Sequence, residues 1–563
     1  MKNLYEKLLI EYCDALISLQ DRGRDKAFHG GIFCRACKMI HGRCPDAVYG
    51  FLTAAKITGD KKYVRAAKNV FDYGENMFCS DGSMYNDAQA NWRYTSTFHL
   101  VSLIEAVNTG KELLGSGYTK KFISRAKSIS EWLFENLDEN SPAHINYPCY
   151  NGYAMALAGR FFGEEKYSLR AEKLISYAMA HITENGLLYG ESLPHDRKSP
   201  KGALSVDIGY NVEESIPALV KYAYLTGDES MKEKLVRVLE AHLEFMFPDG
   251  GWDNSFGVRN NKWTYWGSRT SDGCAPAYLL MADRNPAFAE AALRNTEMLE
   301  KCSSEGFLYG GPQYKRHGEH ACVHHAFEKI NSLAFVLENV DEKYLSPRRC
   351  NLPADEDDGV RYYPEILTYK MAKGDYRATV TDSDFNVFFS WHATGGTLTA
   401  LYGKKSGPMI MGSVTDYKLV EPTNMQQSLD IKKHRSLVPR FSVERNGTEY
   451  CSSYYTKASM HCEKTGEDAC EIVVTTGLTS VNNEDAEDRP QIRYRLSEKG
   501  MNVSANNAAG LKYILPLISG KCLVSKGKIE KTDAVFFLTG GFCATEYTVL
   551  PDSDGSFEIT VTE

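Results

Sequence analysis

The chain has 563 residues, and its 65 Lys and Arg residues against 73 Asp and Glu residues give a formal net charge of −8. A mildly acidic chain of this kind is a poor electrostatic partner for nucleic acid or an anionic membrane, so we expect neither as a partner. The hydrophobic share of 43% and the charged share of 25% exclude an intrinsically disordered or collagen-like protein.

The N-terminal segment and the cysteines predict the cellular location. Residues 1–13 alternate charged and apolar side chains at helical spacing, whereas a secretory signal needs an uninterrupted apolar run. No segment approaches the ~18 apolar residues that cross a membrane. The 15 cysteines are scattered and do not form the framework of a small disulfide-rich domain. We therefore expect a cytoplasmic protein with reduced thiols.

Two regions of different periodicity follow one another along the chain. A helical pattern predicts an all-α domain over 1–340, and a segment with two prolines and a charge run predicts a linker over 341–361. Short segments that alternate apolar and polar residues then predict an antiparallel β-sandwich of about ten strands over 362–563.

The helical part contains a weak repeat of turns, each with a polar residue, a glycine and then an aromatic residue after an amphipathic helix: Asp81-Gly82, Asn185-Gly186, Asp249-Gly250 and Glu305-Gly306. Successive glycines in these turns are 104, 64 and 56 residues apart. The first spacing is therefore about twice the length of one repeat. With a degenerate turn near 138–140 and His29-Gly30-Gly31 at the front, six helical hairpins result. They predict an (α/α)6 toroid, and an open solenoid is the alternative.

In such a ring, the loops that lead into the inner helices meet at one mouth, where we expect the functional site. The first loop carries Cys34-x2-Cys37-x3-His41-x2-Cys44. These residue types are zinc ligands, but thiols packed beside an active-site histidine are the interpretation we favour, and we expect no metal.

Carboxylates and aromatic residues are concentrated in the later loops. Glu213 and Glu214 begin a helix after Asp207, where neighbouring negative charges would favour a general acid; solvated first-turn acids are the alternative. The segment 249–273 contains three of the six tryptophans among Arg and Asp residues, a composition suited to sugar rings, although a structural loop would also explain it.

Three segments together resemble a group of carbohydrate-active enzymes. They are 29–50, with its His-Gly-Gly, Cys-x2-Cys and His-Gly-Arg elements, 205–217, with Tyr-Asn-Val-Glu-Glu-Ser, and the Trp- and Arg-rich 249–273. The chain resembles the glycoside hydrolase family 154 type, which is associated with β-glucuronidase activity, and is more distantly similar in architecture to heparinase-type lyases. The resemblance implies an (α/α) toroid joined to an antiparallel β domain.

The leading hypothesis is therefore a glycoside hydrolase that removes a uronic acid, such as β-linked glucuronate, from an oligosaccharide. Two carboxyl groups normally carry out this reaction. We predict Glu214 as the acid and Asp272 or Asp46 as its partner, with Glu213 and Asp207 in reserve. We predict that the substrate is bound by His29, Arg43, Trp92, Arg93, Tyr210, Asn211, Trp252, Asp253, Arg259, Trp263, Trp266, Arg269 and His324.

Two alternatives remain open. A uronate lyase would transfer protons through Tyr265 or Tyr210 with His41 or His324, while Asn211 or an arginine neutralises the carboxylate. A non-catalytic oligosaccharide-binding protein would need the aromatic residues but not the acids. No cofactor is expected under any of the three hypotheses, and the sequence leaves a homo-oligomer open.

Overall fold

The computed structural model describes residues 3–86, 92–260, 265, 273–356, 359–385, 393–412, 437–466 and 468–563. The α-helices of this described part are α1 (Leu4–Ser18), α2 (Val48–Thr58), α3 (Lys61–Tyr73), α4 (Ser96–Asn136), α5 (Asn146–Phe162), α6 (Glu165–Met179), α7 (Ile208–Tyr210), α8 (Ile216–Thr226), α9 (Glu229–Leu243), α10 (Ala275–Leu280), α11 (Pro286–Lys301) and α12 (His324–Asn339).

Six inner helices form a closed ring. The first half of α4 packs between α2 and α5, then α5 on α8, α8 on α10, α10 on α12, and α12 returns to α2. The outer layer consists of α1, α3, the second half of α4, α6, α9 and α11, since α4 bends where Gly110 and Gly115 leave the helical conformation. The (α/α)6 toroid is thus confirmed, and the open solenoid is excluded because the last inner helix contacts the first.

Glycine conformations explain why the repeat was visible in the sequence. Gly82, Gly186 and Gly250 have φ of 96°, 85° and 89°, in the left-handed region where other residues are strained. Their turns follow outer helices, as predicted. At the opposite end of the ring, Gly59 and Gly227 end inner helices with φ of 72° and 73°.

All inner helices begin at the same end of the ring. The chain passes from outer to inner helices through the connections 19–47, 74–95, 137–145, 180–207, 244–274 and 302–323, which together we call the mouth. The returns from inner to outer helices are as short as 59–60 and 227–228. The positive ends of six helix dipoles consequently point towards the mouth, which favours negatively charged ligands there.

Short hairpins occur within the mouth, and the rest of the β structure follows α12. The mouth strands are β1 (Phe33–Cys34), β2 (Met39–Ile40), β3 (Ser303–Ser304) and β4 (Phe307–Leu308). The later strands are β5 (Gly359–Tyr363), β6 (Thr368–Lys373), β7 (Tyr376–Thr381), β8 (Thr397–Gly403), β9 (Gly407–Met411), β10 (Arg440–Arg445), β11 (Thr448–Cys451), β12 (Ser459–Thr465), β13 (Ala469–Thr475), β14 (Thr479–Ser480), β15 (Gln491–Ser497), β16 (Gly500–Asn506), β17 (Lys512–Leu517), β18 (Lys521–Lys526), β19 (Lys528–Phe537), β20 (Cys543–Leu550) and β21 (Phe557–Thr562).

These later strands form three antiparallel sheets, in the orders β5-β6-β7-β8-β9, β14-β11-β10-β17-β20-β19 and β12-β13-β15-β16-β21-β18. The antiparallel β domain is confirmed, but the number of about ten strands was too low. Both edge strands of the third sheet, β12 and β18, were missed. Their side chains are mostly exposed or half-buried, so they lack the apolar alternation that identifies a strand packed on a core.

The five-stranded sheet packs against the fifth connection of the mouth. Asp253, in this connection, accepts hydrogen bonds from Thr379 Oγ1 at 2.5 Å and Lys370 Nζ at 3.1 Å. The Phe247 and Tyr402 rings stack with centroids 5.0 Å apart. The β domain therefore holds one side of the mouth in place. No helix in the described parts of the chain is long and apolar enough to cross a membrane.

Candidate active site

Two buried tyrosines mark a polar cluster at the mouth. Tyr147 lies in the first turn of α5, and Tyr210 ends α7, just before α8. Asn146 Nδ2 donates a hydrogen bond to Glu214 Oε1 at 2.6 Å and so links the third and fourth inner helices. Burial raises the pKa of both tyrosines well above the usual range, and the negative charge of Glu214 adds to this. Both are therefore neutral phenols, which can act as proton donors.

A π-helical turn sets the direction of the acidic residues. Residues Asn211–Ser215 form this turn between α7 and α8. A π-helical turn contains more residues than an α-helical turn, so it changes the direction of the side chains that follow. Such turns are frequent at functional sites. Glu213 and Glu214 are both buried as a result, with Lys329 Nζ 2.5 Å from Glu213 Oε2. A regular spacing of 100° per residue could not have predicted this arrangement, and the two acids are not a solvated helix start.

Arg259 brings a positive charge to Tyr210. Its guanidinium carbon lies 4.1 Å from the centroid of the Tyr210 ring, and its Nη2 lies 2.9 Å from Glu191 Oε2. Asp207 holds this arrangement, because its carboxylate accepts from the backbone N–H groups of Tyr210 at 3.0 Å and Arg259 at 2.9 Å. Burial raises the pKa of Glu191 to about 7, although Arg259 opposes the shift.

Replacing Glu191 by glutamine should stabilise the protein relative to the wild type as the pH rises. The folded-state pKa of about 7 lies above the ordinary value of 4.5, so folding favours the protonated acid. This contribution to stability is fully present below the unfolded-state pKa and is lost as the pH rises through the folded-state pKa. The shift corresponds to about 3 kcal/mol between these limits. Urea unfolding of both proteins across this window measures it, and a difference that does not change with pH would contradict the prediction.

A second buried arginine, Arg43, lies in the first connection of the mouth. Arg43 Nε lies 2.8 Å from Asp46 Oδ2, and its Nη2 lies 2.6 Å from Glu328 Oε1. His99 Nδ1 is 3.1 Å from the other oxygen of Asp46. The guanidinium also covers the Phe98 ring at 4.4 Å. Because Asp46 has these charged and hydrogen-bonding partners, its role here is to hold Arg43 beside the first inner helix.

His324 is a buried histidine with free hydrogen-bonding capacity. Neither ring nitrogen has a hydrogen-bond partner among the described residues, and the ring stacks on His41 with centroids 4.8 Å apart. Burial lowers the pKa of His324 well below its usual value, and the charges of His41 and Arg43 lower it further. A neutral imidazole of this kind has a nitrogen lone pair that can accept a hydrogen bond from a ligand.

Trp92 connects the cluster to solvent. Its side chain is 38% exposed, and its indole N–H donates to the Tyr147 hydroxyl at 2.5 Å. Neighbouring Arg93 donates to Asp81 at 2.6 Å. An exposed aromatic ring that touches a buried tyrosine is suited to guide a sugar ring towards the cluster.

Several residues predicted for the site have other partners. Trp252 is fully buried and stacks on Tyr278, with centroids 6.0 Å apart. The buried Tyr265 donates to Asp249 at 2.5 Å. Asn211 Nδ2 donates to the Leu188 carbonyl at 2.7 Å. These contacts support the packing of the toroid.

Other predicted residues lie at the edge of the mouth or outside the described part of the chain. His29 is half-buried, with Nδ1 2.8 Å from the Gly23 carbonyl, and His41 belongs to a cluster of thiols. Asp253 is held by the β domain, as described above. The predictions that fall outside the described residues are those for Trp263, Trp266, Arg269 and Asp272.

Sequence reasoning missed Asn146, Tyr147 and Glu191. The first two begin the third inner helix, and Glu191 lies in the connection after α6. The connection that precedes Asn146, 137–145, has neither Trp nor Arg, so composition did not single it out. The sixfold repeat was the available signal, because every inner helix must begin at the mouth.

The closed toroid, the antiparallel β domain and the aromatic, acidic and basic residues at the mouth define a carbohydrate-active class of enzyme. Two family descriptions match this chain: "Ulvan lyase N-terminal domain" over residues 9–355 and "Ulvan lyase C-terminal domain" over residues 360–538. The chain belongs to the ulvan lyase family.

A curated relative and two solved structures are similar to this chain. A broad-specificity ulvan lyase from Formosa agariphila is 32% identical over 547 residues, covering 94% of this chain and 84% of the relative. A heparan sulfate lyase from Pedobacter heparinus has a TM-score of 0.48 at 11% identity, covering 92% of this chain and 76% of that one. A heparinase III has a TM-score of 0.49 at 9% identity, covering 91% and 76%.

The family match corrects the leading hypothesis from the sequence. The prediction of a β-glucuronidase-like glycoside hydrolase was wrong, and the resemblance to glycoside hydrolase family 154 is not supported, because both matched domains are those of lyases. The resemblance to carbohydrate-active enzymes with a toroid and a β domain is supported. The error arose because acids placed near aromatic residues in the sequence were interpreted as a hydrolytic pair.

Proposed function

We propose that this protein is a polysaccharide lyase that cleaves a uronic-acid-containing polysaccharide of the ulvan type by β-elimination. The observation that carries the proposal is the buried Tyr210, whose ring is covered by the guanidinium of Arg259, together with a second buried tyrosine, Tyr147, at the mouth. Family membership and the broad-specificity ulvan lyase relative support the choice of reaction and polymer.

The charges at the mouth suit a uronate. The carboxylate of the sugar would approach Arg259. The negative charge of Glu191 neutralises this arginine only in part near neutral pH, because the pKa of Glu191 is about 7. The positive ends of the inner helices add to the attraction. Neutralising the carboxylate lowers the energy of the carbanion that forms when the C5 proton leaves, so this charge acts on the transition state.

The tyrosine can supply the proton transfer. In β-elimination a base removes the proton from C5, a C4–C5 double bond forms, and the C4–O bond breaks while the leaving oxygen receives a proton. Tyr210 as a neutral phenol would protonate that oxygen. Arg259 lowers the pKa of Tyr210, against the larger effect of burial, and would stabilise the phenolate that remains.

The base is assigned to the same tyrosine or to His324. A phenolate held by Arg259 could take the C5 proton and return it to the leaving oxygen. The imidazole of His324, whose two ring nitrogens have no hydrogen-bond partner among the described residues, favours the second assignment. Replacing His324 by glutamine separates them, since activity would be nearly lost if His324 is the base and largely kept if Tyr210 acts alone.

The proposed reaction is tested by incubating the protein with ulvan and other uronic-acid polysaccharides. Reducing ends and the ultraviolet absorbance of unsaturated uronates are measured together. Elimination produces one unsaturated end for each reducing end, so we expect the two signals to rise in equal amounts. Reducing ends without absorbance would contradict the proposal, and binding without either signal would favour an oligosaccharide-binding protein. The cytoplasmic location stays a prediction.

A further inference from the structure

Three cysteines and a histidine meet beside the mouth. Cys34 lies in β1, Cys37 in the turn after it, His41 directly after β2, and Cys322 two residues before α12. The potential ligand atoms of these four residues all lie within 4.8 Å of one another. Cys322 comes from the last connection of the ring, 281 residues after His41, so only the closed fold brings the four together.

The size of this cluster matches a zinc tetrahedron. Cys37 Sγ lies 3.4 Å from Cys322 Sγ, and Cys322 Sγ lies 3.6 Å from His41 Nε2. Zinc bonds of about 2.3 Å to sulfur and about 2.0 Å to nitrogen place neighbouring ligand atoms about 3.5–3.8 Å apart in tetrahedral geometry. The sulfurs thus leave room for an ion at the centre.

The local backbone brings the thiols of Cys34 and Cys37 to the same side of a tight hairpin turn. β1 and β2 form a hairpin in which Cys34 pairs with Met39, and Lys38 takes a φ of 57° in the turn. The backbone N–H of Cys37 points at Cys34 Sγ, with a distance of 3.3 Å. Backbone N–H groups directed at a sulfur favour its charged form, which is the form that binds metal.

We propose that Cys34, Cys37, His41 and Cys322 bind one zinc ion in a closed, structural site. Soft thiolates and an imidazole select zinc over the oxygen-preferring Mg²⁺ and Ca²⁺. Four protein ligands leave no open position for a substrate, so the ion would not take part in the reaction. This site replaces Cys44, which completed the motif in the sequence, by the distant Cys322.

The position of the ion suggests what it does. It would join the hairpin before the first inner helix to the connection before α12, and so cross-link the first and last units of the ring. His41 as a ligand would also be held in place against His324, its stacking partner. Zinc would therefore both stabilise ring closure and position one side of the candidate active site.

Metal analysis of the full-length protein, purified without chelators, tests the proposal. We expect about one zinc ion per chain, and X-ray absorption should report three sulfur ligands and one nitrogen ligand, with Zn–S distances of about 2.3 Å. A protein that takes up no zinc after incubation with the metal would overturn the proposal. So would a disulfide between Cys37 and Cys322 detected by mass spectrometry, or a zinc environment without sulfur.

Two matched variants locate the site. Cys322→Ala should lower the zinc content to below about a tenth of an ion per chain and lower the unfolding temperature. Cys44→Ala changes a buried cysteine of the same loop that is not in the cluster, and should keep the zinc. Loss of zinc in the Cys44 variant with retention in the Cys322 variant would refute this ligand set. If Cys322→Ala does not fold, Cys37→Ala provides the same decision, since Cys37 is a half-buried member of the cluster and should likewise lose the zinc.

Discussion

Replacing Tyr210 by phenylalanine should lower the kcat of the elimination reaction by about 10²- to 10⁴-fold, the usual loss when a general acid or base is removed. The substitution removes only the hydroxyl and leaves the ring that stacks under Arg259. Substrate binding and the unfolding temperature should therefore change little. The measurement is the rate of formation of unsaturated uronate at saturating substrate.

Tyr153→Phe is the matched control for this experiment. Tyr153 is a buried tyrosine of α5, about 1.7 turns of helix beyond Tyr147, and its hydroxyl lies 3.1 Å from Glu105 Oε1. This variant should keep nearly full activity. An equal loss in the Tyr153 and Tyr210 variants would indicate a packing effect, and an unchanged kcat in Tyr210→Phe would remove Tyr210 from the mechanism.

Replacing Arg43 by methionine should destabilise the folded protein by about 3–5 kcal/mol, because it leaves buried carboxylates without their counter-ion. Arg43, Asp46 and Glu328 have side chains at most 6% exposed, so water cannot replace the lost interaction. Methionine keeps much of the length and apolar contact of the arginine stem. The substitution therefore measures the loss of the charge with little loss of packing. Urea unfolding measures the difference.

Arg284 provides the comparison for Arg43. It bridges Glu229 at 2.7 Å and Glu233 at 2.5 Å, but this cluster is at the surface. Surface ion pairs contribute little, because water and salt screen them. Arg284→Met should therefore cost only a small fraction of the Arg43 effect. Similar losses in both variants would show that burial does not determine the importance of the Arg43 network.

The catalytic assignments show where sequence reasoning reached its limit. Sequence composition in and directly after the mouth connections singled out Tyr210, Arg259, His324 and Arg43, and the structure places them in or beside the buried cluster. Asn146 escaped notice because its partner, Glu214, lies 68 residues away and the connection before Asn146 has no unusual composition. Trp252 was selected because an aromatic residue near acids in the sequence is typical of a site that stacks on a sugar ring. In the structure it fills the core.

The sequence by itself determined the order of the two domains and the succession of six helical hairpins, whereas the contact between the first and last inner helices came from the structure. Those signals are local: glycines such as Gly82 and Gly250 take a left-handed conformation that other residues avoid, and helical and extended periodicities depend on neighbouring residues. Only the tertiary structure decided which side chains share a site. Cys322 joins Cys34, and Asn146 meets Glu214, because the ring closes, and no local preference records which distant connections will then face one another.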